Sequence, residues 1–71
     1  MIKPLQALSE SVGKSVIVAL KGNKEYRGTL NGYDPHMNLV LQTVQVYIAG
    51  EKKEEVASLL VRGDNVIYIS P

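Results

Sequence analysis

The first dozen residues carry a different hydrophobic pattern from the rest of the chain. Leu5, Leu8 and Val12 recur at helical spacing, which predicts a short amphipathic helix over about residues 3–12. Pro4 suits the first turn of that helix, where its missing N–H costs nothing. Because so short a helix is not stable alone, we expect its apolar side to lie against another element.

From Ser15 onward, apolar runs rich in β-branched residues alternate with polar or glycine-bearing turns. Gly28 and Gly32 stand inside the second run and suggest sharp bends, because a bare Cα lets a strand curl. We expect a mostly β fold in one domain, residues 1–71, with the helix followed by a strongly bent five-stranded antiparallel sheet, a small SH3-like or OB-like open barrel. The five strands are predicted at residues 15–20, 25–33, 39–48, 54–61 and 65–69.

The apolar edge of the last strand suggests assembly. Val66 to Ile69 contains no proline and no charged residue, and an unprotected edge of this kind either aggregates or pairs with a partner strand. With 71 residues, no cysteine and one histidine, neither a disulfide nor a structural zinc is available to staple a small core. We therefore expect several copies to close into a ring through edge-to-edge strand pairing.

Composition narrows the class of protein further. The net charge is only +1, so bulk charge does not by itself mark a nucleic-acid binder, although basic residues repeated around a ring would add their fields. No apolar run approaches the ~20 residues of a membrane helix, and Met1 begins no leader-like pattern. The absence of cysteine fits a reducing compartment. We expect a soluble, cytoplasmic protein.

Two polar turns between predicted strands hold the candidate chemistry, Asp34–Asn38 and Arg62–Asn65. The ring of His36, the amide of Asn38 and the guanidinium of Arg62 are flat groups that could sandwich one unstacked base and read its edge. That combination suits single-stranded RNA.

Each candidate also has an ordinary interpretation. A lone histidine such as His36 is more often a plain surface or core residue. Asn38 could cap its own turn while its donor and acceptor also read uracil, and both roles stay open. Arg62 could be an ordinary surface arginine, although its planar fork suits stacking. Asp64 is expected to be structural.

Catalysis is not expected. The carboxylates are scattered, His36 is the only imidazole, and the glycines form no phosphate-binding loop. We expect a protein that is not an enzyme and needs no metal or organic cofactor.

Two motifs give the chain a family resemblance. The first comprises Val16–Val18, Leu20–Lys21, Tyr26–Leu30, Gly32–Asp34 and Met37–Leu41, and the second comprises Leu60–Val66. With these motifs the chain resembles the Sm and Sm-like (Lsm) RNA-binding family, particularly the single-domain archaeal Sm-like proteins, over nearly its whole length. The bacterial Hfq proteins share that fold, but their second motif looks different from Arg62–Asn65.

The resemblance implies the Sm fold and a closed ring, usually a heptamer, in which the fourth strand of one subunit pairs with the fifth of the next. It also implies binding of oligouridine at the inner rim. His36 would stack on the uracil, Arg62 would cover its other face, and Asn38 would bond to its edge. Gly63 would allow a close backbone turn, and Asp64 would orient Asn38 or its loop.

The favoured interpretation is a ring-forming Sm-like protein that binds uridine-rich single-stranded RNA as a chaperone or ribonucleoprotein scaffold. The alternative is a structural or protein-interaction ring with the same fold and little RNA role. No function is carried over to the loop Gly50–Glu55. The natural RNA and the exact number of subunits are left open.

Overall fold

A computed structural model describes residues 4–70, which form one helix and five antiparallel strands in a single sheet. The strands lie in the order β4-β3-β2-β1-β5, so β4 and β5 are its two edges. The predicted fold class is confirmed. The elements are α1 Pro4–Ser11, β1 Ser15–Leu20, β2 Lys24–Tyr33, β3 Leu39–Ile48, β4 Glu51–Val61, the 3₁₀ turn Gly63–Asn65 and β5 Val66–Ser70.

Three predicted strands differ at their boundaries. The second strand begins at Lys24 rather than at residue 25, and the other two differ for reasons of backbone conformation. The fourth strand begins at Glu51 rather than at residue 54, because Ala49 and Gly50 adopt positive φ and form a two-residue hairpin turn. Glu51 therefore already pairs with Ile48. The last strand spans Val66–Ser70 rather than 65–69, because Asn65 belongs to the 3₁₀ turn.

The helix is also shorter than predicted at its C-terminal end. It ends at Ser11, Gly13 follows at φ +85°, and Val12 is exposed rather than part of the apolar face. The predicted start at residue 3 and the ends of the predicted domain, residues 1–3 and 71, lie outside the described residues, as does the side chain of Leu5. Leu8 is buried in the core, as its place in the pattern predicts.

The bend of the sheet is concentrated where β2 crosses β3. The register between these strands shifts between Arg27 and Thr29, and again between Leu30 and Gly32. A Cβ on Gly28 would lie 2.9 Å from the carbonyl oxygen of Gln42, so glycine is needed for this close approach. A Cβ on Gly32 would have no atom within 4 Å. Of these two glycines, only Gly28 is therefore required by close packing.

The core lies inside this bend. The turn after α1 is tied to β2, since the N–H of Gly13 donates to the carbonyl of Leu30 at 2.7 Å. Large apolar side chains stay outside on the two edge strands: Leu60 is 70% exposed, Ile67 62% and Tyr68 56%. Within residues 4–70, the helix is too short to cross a membrane. The buried residues are Leu8, Val16, Val18, Leu20, Leu30, Leu39, Leu41, Val44, Val46 and Val61.

Candidate nucleic-acid interface

Strand pairing brings the two polar turns to the same end of the sheet. Leu39, at the start of β3, pairs with Tyr33 on one side and with Val61 on the other. The turn before Leu39 and the turn after Val61 must therefore be neighbours. The side-chain oxygen of Asn38 accepts a hydrogen bond from the N–H of Gly63 at 2.8 Å. This half-buried bond joins two segments that lie 25 residues apart in the chain.

Asp34 holds the first turn together. Its Oδ1 accepts hydrogen bonds from the backbone N–H groups of His36 at 2.9 Å and Asn38 at 3.0 Å. Its Oδ2 accepts from the Nδ2 of Asn38 at 2.9 Å. An aspartate that bonds to the backbone just ahead of it is a common turn former. Here it also fixes the orientation of the Asn38 amide.

These contacts change the acidity of Asp34. The side-chain hydrogen bond from Asn38 is the main cause that lowers the pKa of Asp34, and the two backbone N–H groups add to it against partial desolvation. Donors that favour the ionised carboxylate lower its pKa in this way. Asp34 is therefore a carboxylate at neutral pH, and the turn depends on its charge.

Asp64 was expected to orient Asn38 or its loop, and the structure shows which partners the two aspartates of the turns have. Asp34, rather than Asp64, orients Asn38. Asp64 lies in the exposed 3₁₀ turn, and its Oδ2 is 3.2 Å from Nη2 of Arg62, so it positions that guanidinium instead. Asp34 was missed as a site residue although its place at the head of a turn, directly before Pro35, was a usable signal.

Gly63 is required by close packing of the two turns. A Cβ at this position would collide with the carbonyl oxygen of His36 and would lie 2.9 Å from the carbonyl carbon of Met37. Both are backbone atoms, which cannot rotate away. The structure thus supports the expected close backbone turn, and it explains how Asn38 reaches the N–H of residue 63.

The site keeps unused hydrogen-bonding capacity at a fixed place. An asparagine amide has two N–H donors and two acceptor lone pairs, and Asn38 spends one donor on Asp34 and one lone pair on Gly63. One donor and one acceptor are left on a group whose orientation is set. His36 and Arg62 are both exposed beside it. This arrangement can stack on a flat ring and read a donor–acceptor edge.

Other chemistry is limited in the described part of the chain. Within residues 4–70, no cluster of three or more histidine, aspartate or glutamate side chains could hold a metal ion. Arg27 of β2 is held by Glu25, 2.8 Å away, and by the ring of Tyr47, whose centre is 4.2 Å from the guanidinium carbon. Its charge is partly neutralised there.

The family model for the LSM domain matches residues 6–71. The chain belongs to the LSM family. This LSM domain is 47% identical over 70 residues to an snRNP Sm-like protein of Thermoplasma acidophilum, and the match covers 99% of this chain and 84% of that protein. The predicted membership of the Sm-like family is confirmed.

Solved structures agree with this LSM domain in fold. A Pyrococcus abyssii Sm protein, solved in complex with a uridine heptamer, superposes with a TM-score of 0.94 and 41% identity, covering 99% of each chain. The SmAP1 heptamer of P. aerophilum gives a TM-score of 0.91 and 37% identity, covering 100% of this chain and 95% of that one. At these values the likeness extends beyond the fold to the sequence.

Proposed function

We propose that this LSM domain forms a homo-oligomeric ring, a heptamer, that binds uridine-rich single-stranded RNA and acts as an RNA chaperone or ribonucleoprotein scaffold. The observation that carries the proposal is the bond between Asn38 and Gly63, which joins the two polar turns into one site with an oriented amide. The likeness to an Sm protein solved with a uridine heptamer supports uridine as the ligand.

Each residue of the site has a distinct part in this proposal. His36 and Arg62 stack on the two faces of one uracil, because both present exposed flat groups. Asn38 bonds to the base edge with its remaining donor and acceptor. Gly63 allows the turns to approach, and Asp64 holds the guanidinium of Arg62 through its ion pair. Asp34 joins the set as the residue that orients Asn38.

The ring follows from the two open edges of the sheet. β4 and β5 lie at opposite ends of the strand order, and each exposes large apolar side chains, Leu60 on one and Ile67 on the other. Head-to-tail pairing of the two edges, repeated until it closes, satisfies the free backbone groups of both. A similar protein, SmAP1 of P. aerophilum, was solved as a heptamer.

Repetition of one site also explains how a ring could bind RNA tightly although each single pocket binds weakly. Identical pockets around a ring bind successive bases of one strand, so the affinity of the whole exceeds that of each pocket. The alternative of a structural ring with little RNA role does not account for an oriented amide flanked by two exposed flat groups. Action in the cytoplasm stays a prediction from the sequence.

A competition titration with homopolymeric RNA tests the function. Stacking tolerates any base, so discrimination must come from bonds to the uracil edge, and a purine overfills a site sized for a pyrimidine. We expect oligouridine to bind more tightly than oligocytidine and oligoadenine. Equal affinities for all homopolymers would reduce the site to a stacking surface, and no binding at all would favour the structural ring.

The Asn38→Ala substitution tests the site itself. We expect it to weaken oligouridine binding by about 1–3 kcal/mol per engaged pocket, the usual worth of a good base-edge contact. Asn31→Ala is the matched control, because Asn31 is an exposed asparagine of β2 outside both turns. Unchanged uridine affinity in Asn38→Ala would remove Asn38 from the pocket.

A further inference from the structure

The edge strand β4 is divided into a charged half and an apolar half. Residues 51–55 are all charged, three glutamates and two lysines, whereas residues 56–61 hold one serine and five apolar side chains. β4 has 11 residues and β5 has five. A free edge of that length could accept several kinds of strand, including the β4 of a second copy.

Pairing with the β5 of a second copy and pairing with its β4 lead to different assemblies. Pairing of β4 with β5 of another copy is head-to-tail and closes a ring, whereas antiparallel pairing of β4 with β4 is twofold and stops at a dimer. The twofold ladder over all 11 residues would be the longer one. If only the length of the ladder mattered, the β4–β4 dimer would be favoured over the ring.

The order of residues along β4 opposes the twofold ladder. An antiparallel pair of Glu51–Val61 strands is centred on Val56, so four of the five charged residues meet an apolar one and the fifth meets a serine. The facing pairs are Glu51 with Val61, Lys52 with Leu60, Lys53 with Leu59, Glu54 with Ser58 and Glu55 with Ala57. A charge pressed against an apolar neighbour loses water and gains no partner. A shorter twofold register could join the two apolar halves, but it would leave Ile67 and Tyr68 of both β5 edges exposed.

One ion pair of this segment favours the charged forms of both its partners. Lys52 is in contact with Glu55, and this hydrogen bond raises the pKa of Lys52 and lowers the pKa of Glu55. Lys53 lies 3.0 Å from Glu51. Three glutamates and two lysines leave a net charge of −1, so two such segments repel weakly. Desolvation, rather than repulsion, excludes the pairing.

The backbone adds a second obstacle at the same place. The register between β3 and β4 shifts between Val46, which pairs with Glu54, and Tyr47, which pairs with Lys52. Lys53 is therefore an extra residue, a bulge in β4. Bulges and edge lysines both hinder the addition of another strand.

β5 fits only the apolar half of β4. Val66–Ser70 has five residues and no charge, which matches the length and character of residues 56–61. Pairing there leaves the charged half of β4 in water. We propose that the segregation of charge along β4 selects β5 of a second copy as its partner and excludes the full-length twofold β4–β4 ladder. The proposal rests on the ring in the proposed function.

The test compares the particles formed by three full-length variants using native mass spectrometry. Glu51→Thr, Lys52→Val and Lys53→Thr together remove the charges that would face Val61, Leu60 and Leu59. The matched control, Glu10→Thr, Lys14→Val and Lys21→Thr, removes the same residue types from exposed positions off β4. The third variant, Lys52→Glu with Glu55→Lys, exchanges the partners of one ion pair and keeps the edge charged.

We expect the β4 triple variant to raise the fraction of dimers and of rings joined through β4 about tenfold or more, which corresponds to about 1.4 kcal/mol. The control and the exchanged pair should keep the particle of the unmodified chain. If the triple variant forms the same single ring as the unmodified chain, or if the control shifts equally, the inference is wrong. An unmodified chain that forms no ring would instead overturn the proposed ring itself.

Discussion

At the scale of single residues, Asp34 and Asn38 work as one unit. The carboxylate of Asp34 accepts three hydrogen bonds, two of them from Asn38, and Asn38 passes the constraint on to Gly63. A group that reads a base must be held by neighbours whose own positions are set. In the proposed site, the residue that would contact the base, Asn38, and the residue that orients it, Asp34, are therefore separate, and each has its own test.

Acid should weaken the fold through Asp34. Its pKa in the folded chain is below the ordinary value of 3.8, so its ionised form contributes stability that is present above about pH 4 and is lost as the pH falls through the folded pKa. Urea unfolding from about pH 6 down to about pH 2 should show a steeper loss in the unmodified chain than in Asp34→Asn. Parallel curves for the two proteins would show that the carboxylate adds no pH-dependent stability.

Gly63→Ala should damage both stability and binding. The added methyl meets backbone atoms of His36 and Met37, and overpacking of this kind costs roughly 1–3 kcal/mol of unfolding free energy. Gly32→Ala is the control, because its methyl would meet nothing within 4 Å and should change stability by less than about 1 kcal/mol. Similar unfolding free energies for the two variants would mean that the turns separate easily.

At the scale of elements, the two edge strands, rather than the helix, would determine how copies of the chain pair. β5 pairs with β1 through a register shift that leaves Ile67 as an extra residue between Val66 and Tyr68. This residue takes no place in the ladder with β1, and its side chain is exposed. Ile67 therefore lies on the outer edge of the sheet, where a neighbouring copy would pair in the proposed ring.

Ile67→Pro should break the assembly and leave the subunit folded. Proline removes the N–H that a partner strand would use, and it is tolerated at bulges and edges. We expect light scattering to show a particle far below the ring mass. Ile67→Thr is the control, because it shortens the side chain and keeps the N–H. An intact ring in Ile67→Pro would show that this N–H does not contribute to the interface.

At the scale of the whole molecule, the proposed assembly would compensate for a small core. Ten buried apolar residues form the interior that the structure describes, and cysteine is absent from the chain. Small domains without staples depend on other sources of stability. Strand pairing between copies would bury the exposed side chains of both edges and extend the sheet through the ring.

The unmodified chain should behave as one large particle. Seven copies of 7.8 kDa give about 55 kDa, which light scattering at micromolar concentration distinguishes readily from a monomer. A monodisperse particle near 7.8 kDa would contradict the ring and with it the argument that assembly supplies the missing stability. A closed ring with another number of copies would correct the predicted seven but would still support the proposed ring.

The sequence by itself determined the helix, the five strands and the bend near Gly28, because hydrophobic period and glycine placement are local properties. It also named His36, Asn38, Arg62 and Gly63 as neighbours, since the family resemblance supplied what no local pattern could. The sequence also predicts that glycine permits a bend in β2. At Gly28 the structure gives the reason, because a Cβ there would be too close to the backbone of β3.

Only the tertiary structure decided how the two turns are joined. Asp34, rather than Asp64, orients Asn38, and no spacing along the chain distinguishes these carboxylates. β4 begins at Glu51, because the hairpin turn at Ala49 and Gly50 lets Glu51 pair with Ile48. The charged residues that follow Gly50 had been predicted from their local sequence to form a loop. Contacts between residues far apart in sequence depend on register and chain path, and these are settled only when the sheet has formed.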